Sequence, residues 1–457
     1  MEKLMLSEII KSINAACPLD EDIEITGVST DTRTIQKGDL FIALSGEKFD
    51  AHDYIDVAEK NGAVAAVCSR EVEAGIPMLY VDDTLLALHS LAAYYREKLG
   101  IKVVGVTGSN GKTTTRDMTA AVLRSKYSVY STAKNFNNEI GLPKSVLELD
   151  ESYDIAVLEM GMNHLGEISR LTDIAKPDAA LITNVGMAHI GNLGSQENIL
   201  KAKLEILEGI KKDGLIVLNG DDALLRGADT KGIKKAYIGI GEDTEKDLYA
   251  KDIEARDGCT YFTAVYDGEE YRGYIPVLGN YNVSNALEAM RIGVHFGVTV
   301  DEAFSALEKY RTVKMRQEAE LVGGVKLVKD YYNASPDSAR VALETLSIHA
   351  GTGKRIAVLG EMLELGEFGE KAHYDLGEMC VKNGVDYAFF IGKDCEEFKR
   401  GMPDNSEVFS ADEREELENA LRRFVESGRL SEGDAILIKG SRGMKMEQFY
   451  EVLKSIL

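Results

Sequence analysis

The sequence predicts an α/β protein built from three domains, and three observations lead there. The chain is 457 residues long, room for about three domains at roughly 150 residues each. Short β-branched and apolar runs alternate with amphipathic stretches over most of its length, the pattern of strand–helix units with parallel sheet. One such run, Ile101 to Thr107, passes through Gly108-Ser109-Asn110-Gly111 into Lys112-Thr113-Thr114-Thr115 and a helical stretch carrying Met118, Ala121, Val122 and Leu123.

Composition narrows the function classes. Apolar residues make up 44% and charged residues 28%, which suits a soluble globular chain with ample core. No apolar run approaches the ~20 residues that span a bilayer. Residues 1–20 lack the basic start and apolar centre of a signal peptide, so a cytoplasmic protein is expected. The five cysteines are scattered, with no Cys-x-x-Cys, and read as reduced thiols. A net charge of −23 disfavours nucleic acid and anionic membrane as partners. Small phosphorylated ligands remain open, provided that cations and backbone N–H groups gather locally.

The first domain is expected over residues 1–85 as a small mixed α/β unit. Ile23–Thr26, Leu40–Leu44, Ala63–Cys68 and Met78–Val81 read as strands. Asp53 to Asn61 reads as a helix, stopped at Asn61-Gly62. Ser29, Asp31 and Arg33 form a polar cluster that a base and diphosphate could use; a polar loop with Arg33 paired to Asp31 explains it equally. Leu85 to Leu99 is an amphipathic helix stopped by Gly100 and leads into the next domain.

The second domain is expected over 86–313, with strands at Ile101–Thr107, Asp154–Glu159, Ala179–Val185 and Leu215–Asn219. The strand–glycine turn–helix unit at its start is a phosphate cradle. Backbone N–H groups and the positive end of the helix dipole face the anion. Lys112 supplies a point charge and the Thr113 hydroxyl a magnesium ligand. The general pattern wants glycine at position 106, where this chain has Val106; its first glycine is Gly108. In open parallel sheets ligands bind beyond the carboxyl ends of strands, and polar residues do follow these strands. Glu159 is placed to hold magnesium, a hard cation that prefers oxygen. His189 reads either as a second metal or phosphate contact or as a structural histidine. Asn137 and Asn138 precede Ile140-Gly141-Leu142-Pro143 and suit either substrate oxygens or turn formation. Lys201 and Lys203 lie on a helical stretch, Glu197 to Leu207, where exposure is the default. Asn282 and Asn285, three apart at a helix start, suit a purine edge or capping.

The third domain is expected over 314–457 as a Rossmann-like doubly wound unit. Its strands are Val325–Asp330, Arg355–Leu359, Tyr387–Ile391, Glu407–Phe409 and Ala435–Ile438. No Gly-x-Gly-x-x-Gly follows its first strand, so nicotinamide or flavin is not supported. Arg316 and Asp330 stand near the junction and suit a nucleotide or an ordinary salt bridge. Lys439, Ser441 and Arg442 surround a glycine turn suited to a carboxylate or peptide ligand.

Taken in order, Thr107-Gly-Ser-Asn-Gly-Lys-Thr-Thr114, Asn137-Asn-Glu-Ile-Gly-Leu-Pro143, Leu158-Glu-Met-Gly161, Gly279-Asn-Tyr-Asn-Val-Ser-Asn285 and Met315-Arg-Gln-Glu318 resemble the ATP-dependent Mur ligases of peptidoglycan synthesis. Ser29-Thr-Asp-Thr-Arg33 and Gly38 to Leu44 narrow the likeness to the later enzymes of that series. Asp330-Tyr-Tyr-Asn-Ala-Ser-Pro336, Val358 to Gly366 and Lys439-Gly-Ser-Arg442 point the same way. The Asp-Asn-Pro-Arg of the preceding, amino-acid-adding ligase is absent.

The resemblance implies an ADP-forming ligase that joins UDP-N-acetylmuramoyl-tripeptide to D-alanyl-D-alanine through an acyl phosphate, with ATP and Mg2+ as cofactors, acting as a monomer. It implies catalytic roles for Lys112, His189 and Lys203, the last matching a lysine that the family carbamylates. It implies magnesium ligands at Thr113, Glu159 and His189. ATP contacts would come from Gly108, Ser109, Asn110, Gly111, Lys112, Thr113, Thr114, Asn282, Asn285, Arg316 and Asp330. Substrate contacts would come from Ser29, Asp31, Arg33, Phe41, Gly46, Asn137, Asn138, Asn333, Lys439, Ser441 and Arg442. The family's Gly-x-His-Asn reads Gly279-Asn280-Tyr281-Asn282 here, which removes an imidazole. Competing readings are a Mur-like ligase for a single amino acid, folate polyglutamylation on a related architecture, and a nucleotide-dependent regulatory protein using the same phosphate loop.

Overall fold

The computed structural model describes residues 1–457 except 18–20, 47–48, 134, 244, 313 and 404–406. Position 313, the expected boundary of the second domain, therefore lies outside the described residues.

Three sheets organise the chain. The first is four-stranded and parallel, in the order Gly27–Ser29, Asp39–Ile42, Ala65–Cys68, Met78–Tyr80. The expected strand at Ile23–Thr26 is shorter and lies outside this sheet: Glu24–Ile25 pairs antiparallel with Leu4–Met5. The helix Thr84–Leu99 leads out of this domain. Asp83 caps it by accepting from the N–H groups of Leu85 and Leu86, and left-handed Gly100 ends it.

The second sheet has nine strands, in the order Val129–Ser131, Ile155–Glu159, Lys102–Thr107, Ala179–Ile182, Leu215–Asn219, Lys234–Ile240, Leu248–Arg256, Cys259–Tyr266, Glu269–Ile275. The first seven run parallel, and the last two pairings of the sheet are antiparallel. Alternate residues of the central strands feed two separate cores. Val103, Ala156, Leu158 and Ala180 pack on one face, Val104, Val106, Val157 and Leu181 on the other. This double burial is why the strands read as continuous apolar runs. The helices Lys112–Leu123 and Asn280–His295 share the second face.

The third sheet has six strands, in the order Glu318–Val322, Val325–Lys329, Ala435–Lys439, Arg355–Gly360, Tyr387–Ile391, Glu407–Ala411. Only the first pair is antiparallel. Order reverses at Ala435–Lys439, and the loops after Val325–Lys329, Arg355–Gly360 and Ala435–Lys439 gather at one end. Among the described residues no helix is long and apolar enough to cross a membrane.

Candidate active site

The site is built around the strand Lys102–Thr107, which lies between two parallel neighbours. Val106 is fully buried in the core, so the chain has no room to turn there and the loop begins at Gly108. Gly108 has φ +149, and a Cβ on it would overlap the Thr183 hydroxyl of the neighbouring strand's end. Gly111 caps the helix Lys112–Leu123 in the left-handed region at φ 84, with no side-chain cap and no acid in the first turn. The orphan N–H groups of that helix are thus left for an anion. Asn184 fixes the loop: its carbonyl accepts from Ser109 N at 3.0 Å and its Oδ1 from Asn110 N at 2.9 Å. Lys112 Nζ folds back to donate to the carbonyls of Gly108 (2.8 Å) and Ser109 (3.3 Å). Burial lowers its pKa, Arg316 acts in the same direction, and Glu159 opposes them.

Glu159 ends the adjacent strand and is 2% exposed. Its Oε1 accepts from Asn137 Nδ2 at 2.8 Å and its Oε2 from Arg116 Nη1 at 3.2 Å. Arg116 lies one helical turn beyond Lys112 and also pairs with Asp117 at 2.7 Å. The Thr113 hydroxyl accepts from Arg316 Nη2 at 3.1 Å. Among the described residues no group of three or more His, Cys, Asp and Glu side chains is spaced to hold a metal ion. Thr113 and Glu159 together offer two hard oxygen ligands. That donor set fits magnesium, which keeps waters and phosphate oxygens in its shell and takes few protein ligands.

His189 follows the third strand in the left-handed conformation, φ 64. Its Nδ1 stands 2.6 Å from Glu364 Oε2 of the third domain as an ion-pair contact, outside hydrogen-bond geometry. The imidazole beside it lowers the Glu364 pKa. Lys203 overturns the default of an exposed helical lysine. It sits near the end of the helix Gln196–Leu204 and is 1% exposed. No carboxylate lies within ion-pairing distance of it among the described residues. Burial pushes its amine well below the usual range, and the charge of Lys112 adds to the effect.

Opposite the loop, the helix Asn280–His295 presents Asn282 and Asn285. Asn282 Nδ2 donates to Leu278 O at 2.8 Å, and Asn285 Nδ2 to Asn282 Oδ1 at 3.2 Å. A Cβ on Gly111 would stand 2.7 Å from Asn285 Oδ1, so Asn285 touches the phosphate loop itself and Asn282 stands behind it. The hydroxyl of Tyr281, where the imidazole was missed, is buried without a hydrogen-bond partner.

The third domain closes the far wall. The Arg316 guanidinium stacks over Tyr332 at 4.2 Å. Asp330 Oδ2 accepts from Lys439 Nζ at 2.8 Å and from Gln317 Nε2 at 2.9 Å. Ser335 Oγ donates to Asn110 Oδ1 at 3.0 Å, and Asp337 Oδ2 accepts from Met187 N at 2.8 Å. The result is a cavity of about 610 Å³ between the two domains. Ser109 to Thr114, Asn137, Asn138, Glu159, His189, Asn282, Asn285, Arg316, Asp330, Asn333 and Lys439 all line it.

Ser29, Asp31, Arg33, Phe41, Gly46, Ser441 and Arg442 are not on this cavity. Phe41, expected as a substrate contact, is 1% exposed and packs in the first domain's own core. Ser29 hydrogen-bonds within its turn, and Asp31 and Arg33 pair at 2.6 Å. That ion pair holds the Asp31 carboxyl down to about 2, so the salt-bridged loop describes this cluster. Gly46 lies on an exposed two-residue strand beside Phe49. Ser441 is 2% exposed and accepts from Leu363 N at 2.8 Å; it ties two loops together. Arg442 turns outward to Glu447 at 3.2 Å. Asn138 Oδ1 accepts from Gly141 N at 2.8 Å, the turn role left open for it. Sequence reasoning missed Arg116, Asn184 and Asp337. Arg116 carried a usable signal, four residues after Lys112 on the same helix face.

Comparison with known proteins gives three matches to family models. Residues 24–96 match the Mur ligase family, catalytic domain; 106–293 the Mur ligase middle domain; and 315–442 the Mur ligase, glutamate ligase domain. The chain is 40% identical to the UDP-N-acetylmuramoyl-tripeptide–D-alanyl-D-alanine ligase of Bacillus subtilis, over 99% of this chain and 97% of that one. It is 34% identical to the ligase of that name from Escherichia coli, over 99% of both. Among solved structures it superposes on MurF from Acinetobacter baumannii with a TM-score of 0.93, 30% identity, and coverage of 100% and 99%. MurF ligase from Thermotoga maritima in complex with ADP gives a TM-score of 0.84 at 30% identity, covering 94% and 97%.

Proposed function

Since the chain belongs to the Mur ligase family, we propose that it uses ATP to join UDP-N-acetylmuramoyl-tripeptide to D-alanyl-D-alanine in peptidoglycan precursor synthesis. The single observation that carries this is the cavity in which a phosphate loop faces Asp330 and Lys439 of a second sheet. It holds a nucleotide and leaves an acceptor side. Full-length identity to ligases of that name supplies the substrate pair.

The chemistry is a carboxylate activation. An oxygen of the peptide's terminal carboxylate attacks the γ-phosphorus and ADP leaves. The free amine of the dipeptide then attacks the acyl carbon, loses a proton, and the tetrahedral intermediate expels phosphate. Such transfers need positioning and charge neutralisation above all. The N–H groups of Gly108 to Thr114 and the Lys112 amine hold the phosphates. Asn282 and Asn285 take the purine edge, and Arg316 and Asp330 the rest of the nucleotide. Thr113 and Glu159 would hold magnesium, with His189 as a further ligand; bound there, the ion neutralises phosphate charge. Asn137 and Arg116 aim the Glu159 carboxylate. Lys203 is suited to carbamylation, since an amine kept neutral by burial is the form that adds CO2.

We assign the UDP group to the first domain, 1–85, the nucleotide to 86–313 and delivery of the dipeptide to 314–457. The backbone around Ser29 to Arg33 and Gly46, the side chain of Asn138, and the loop at Lys439, Ser441 and Arg442 are the substrate-side candidates. We read the chain as a cytoplasmic monomer, in keeping with its use of ATP and small soluble substrates.

The test is product analysis. Purified protein, ATP, magnesium and UDP-N-acetylmuramoyl-tripeptide are incubated with D-alanyl-D-alanine or with single amino acids, and products are weighed by mass spectrometry. A new amide with the dipeptide alone is expected. Amide formation with a free amino acid and none with the dipeptide would overturn the assignment.

A further inference from the structure

Behind the residues that line the cavity lies a buried carboxyl group that the chemistry above does not use. Glu288 lies on the Asn280–His295 helix, one turn beyond Asn285, and is 1% exposed. Its helix runs beside the phosphate-loop helix in close register. Asn285 meets Gly111 at the loop end, and a Cβ on Gly293 would overlap Val122 Cγ1 at the other. Between these rungs stands one polar contact. The Thr115 hydroxyl, itself fully buried, donates to Glu288 Oε2 at 3.2 Å, and Glu288 Oε1 has no partner.

We propose that Glu288 is a positioning residue for nucleotide binding, a neutral carboxylic acid wedged between the two helices that keeps Asn282 and Asn285 in register with the Gly108–Thr115 loop. This rests on the nucleotide reading given above.

The surroundings support a neutral group. The strands under the pair contribute Ala236, Ile238, Val217 and Leu181, all apolar. On the phosphate-loop helix the neighbouring hydroxyls are Thr115 and Thr119, the latter also buried and unpartnered. The charges of that helix are engaged elsewhere: Lys112 on the loop carbonyls, Arg116 and Asp117 with each other. On its own helix, Arg291 reaches Asp247 at 3.8 Å. Burial pushes the Glu288 carboxyl up to about 8, and the Thr115 hydroxyl is the one group that favours its charged form. Ionisation would leave a buried anion, met only by the Thr115 hydroxyl, between two closely packed helices, a state of high cost.

The experiment measures ADP affinity against pH, using a fluorescent ADP analogue and the full chain, for wild type and Glu288→Gln. The amide keeps the shape and stays neutral at every pH. Wild-type affinity is expected to fall about tenfold between pH 7 and pH 9, as the competent neutral fraction falls. Glu288→Gln is expected to bind like wild type at pH 7 and to lack that alkaline fall. Lys112 titrates in both proteins and cancels in the comparison. Identical profiles in the two proteins would overturn the proposal, and so would a folded Glu288→Gln that binds poorly at pH 7. Should Glu288→Gln not fold, Thr115→Val decides. Losing the hydroxyl that favours the anion should move the wild-type inflection to higher pH, and an unmoved inflection overturns the proposal. Failure of wild type to bind ADP at any pH would instead remove the nucleotide reading, and the proposal with it.

Discussion

Replacing Lys203 with methionine should stabilise the fold while destroying turnover. The lysine is 1% exposed, has no acidic partner among the described residues, and feels the charge of Lys112. Its amine titrates well below the ordinary lysine range because burial disfavours the cation. The unfolded chain, with a lysine pKa of about 10.4, holds a proton that the folded chain has released. Between the folded pKa and that value, stability therefore rises with pH, by about 1.4 kcal/mol per unit. Below the folded pKa both states carry the proton and the penalty is constant and at its largest. Methionine fills a similar volume and has no such term. Urea unfolding in CO2-free buffer should thus show Lys203→Met more stable than wild type at pH 8. The gap should shrink as the pH is raised towards the pKa of a free lysine. Added bicarbonate should stabilise wild type and not Lys203→Met, because only the lysine can become a carbamate. In the truncated variant Lys203→Ala, short carboxylates should restore part of the activity. A gap that does not change with pH would refute the reasoning, since Lys203 would then not be an uncompensated buried amine.

Two further outcomes follow from the cavity. Lys112→Ala should lower turnover at least about 100-fold, the scale for loss of one preorganised charge-stabilising donor. Its circular dichroism should be unchanged, and near-normal activity would refute the phosphate-loop mechanism. Asp337→Ala removes the acceptor for Met187 N, a charge-assisted bond between domains worth about 1.5–3 kcal/mol. We expect a larger radius of gyration by small-angle scattering and a raised KM for the dipeptide. An unchanged radius and KM would show that this bond does not hold the domains together.

Much of the architecture was legible because the local signals agreed with one another. The strand at Lys102–Thr107, the glycine turn and the helix at Lys112 were each written in residues that permit little else, and the parallel pairs followed from double burial. The strands Leu248–Arg256, Cys259–Tyr266 and Glu269–Ile275 were overlooked, although their turns are marked. Asp257-Gly258 and Asp267-Gly268 both adopt positive φ, the Asp-Gly turn chemistry of tight hairpins. Their strands alternate polar and apolar residues because one face is wet, so they lack the continuous apolar run that betrayed the others. The burial of Lys203 was not legible locally for a different reason. A helical lysine looks exposed by default, and only the packing of distant elements buries it.

The residues that resisted local reasoning are those whose partners lie in another domain. His189 and Glu364 are both non-glycine residues in the left-handed region, φ 64 and φ 66, a conformation that costs about 1–2 kcal/mol for an L-residue. Neither has a local hydrogen-bonding reason to be there, as an asparagine in a turn would. They meet each other at 2.6 Å, and beside them Gly191 N donates to Glu364 O at 3.0 Å. A side chain on Gly191 would collide with the backbone at Glu364 to Gly366, so the two loops approach as closely as bare backbone allows. The strain is therefore held where the central and third domains touch, at the edge of the cavity in which carboxylate, nucleotide and amine must converge. A chain under no demand to bring these two loops together would relax both residues, and sequence rules drawn from single elements have no term for that demand.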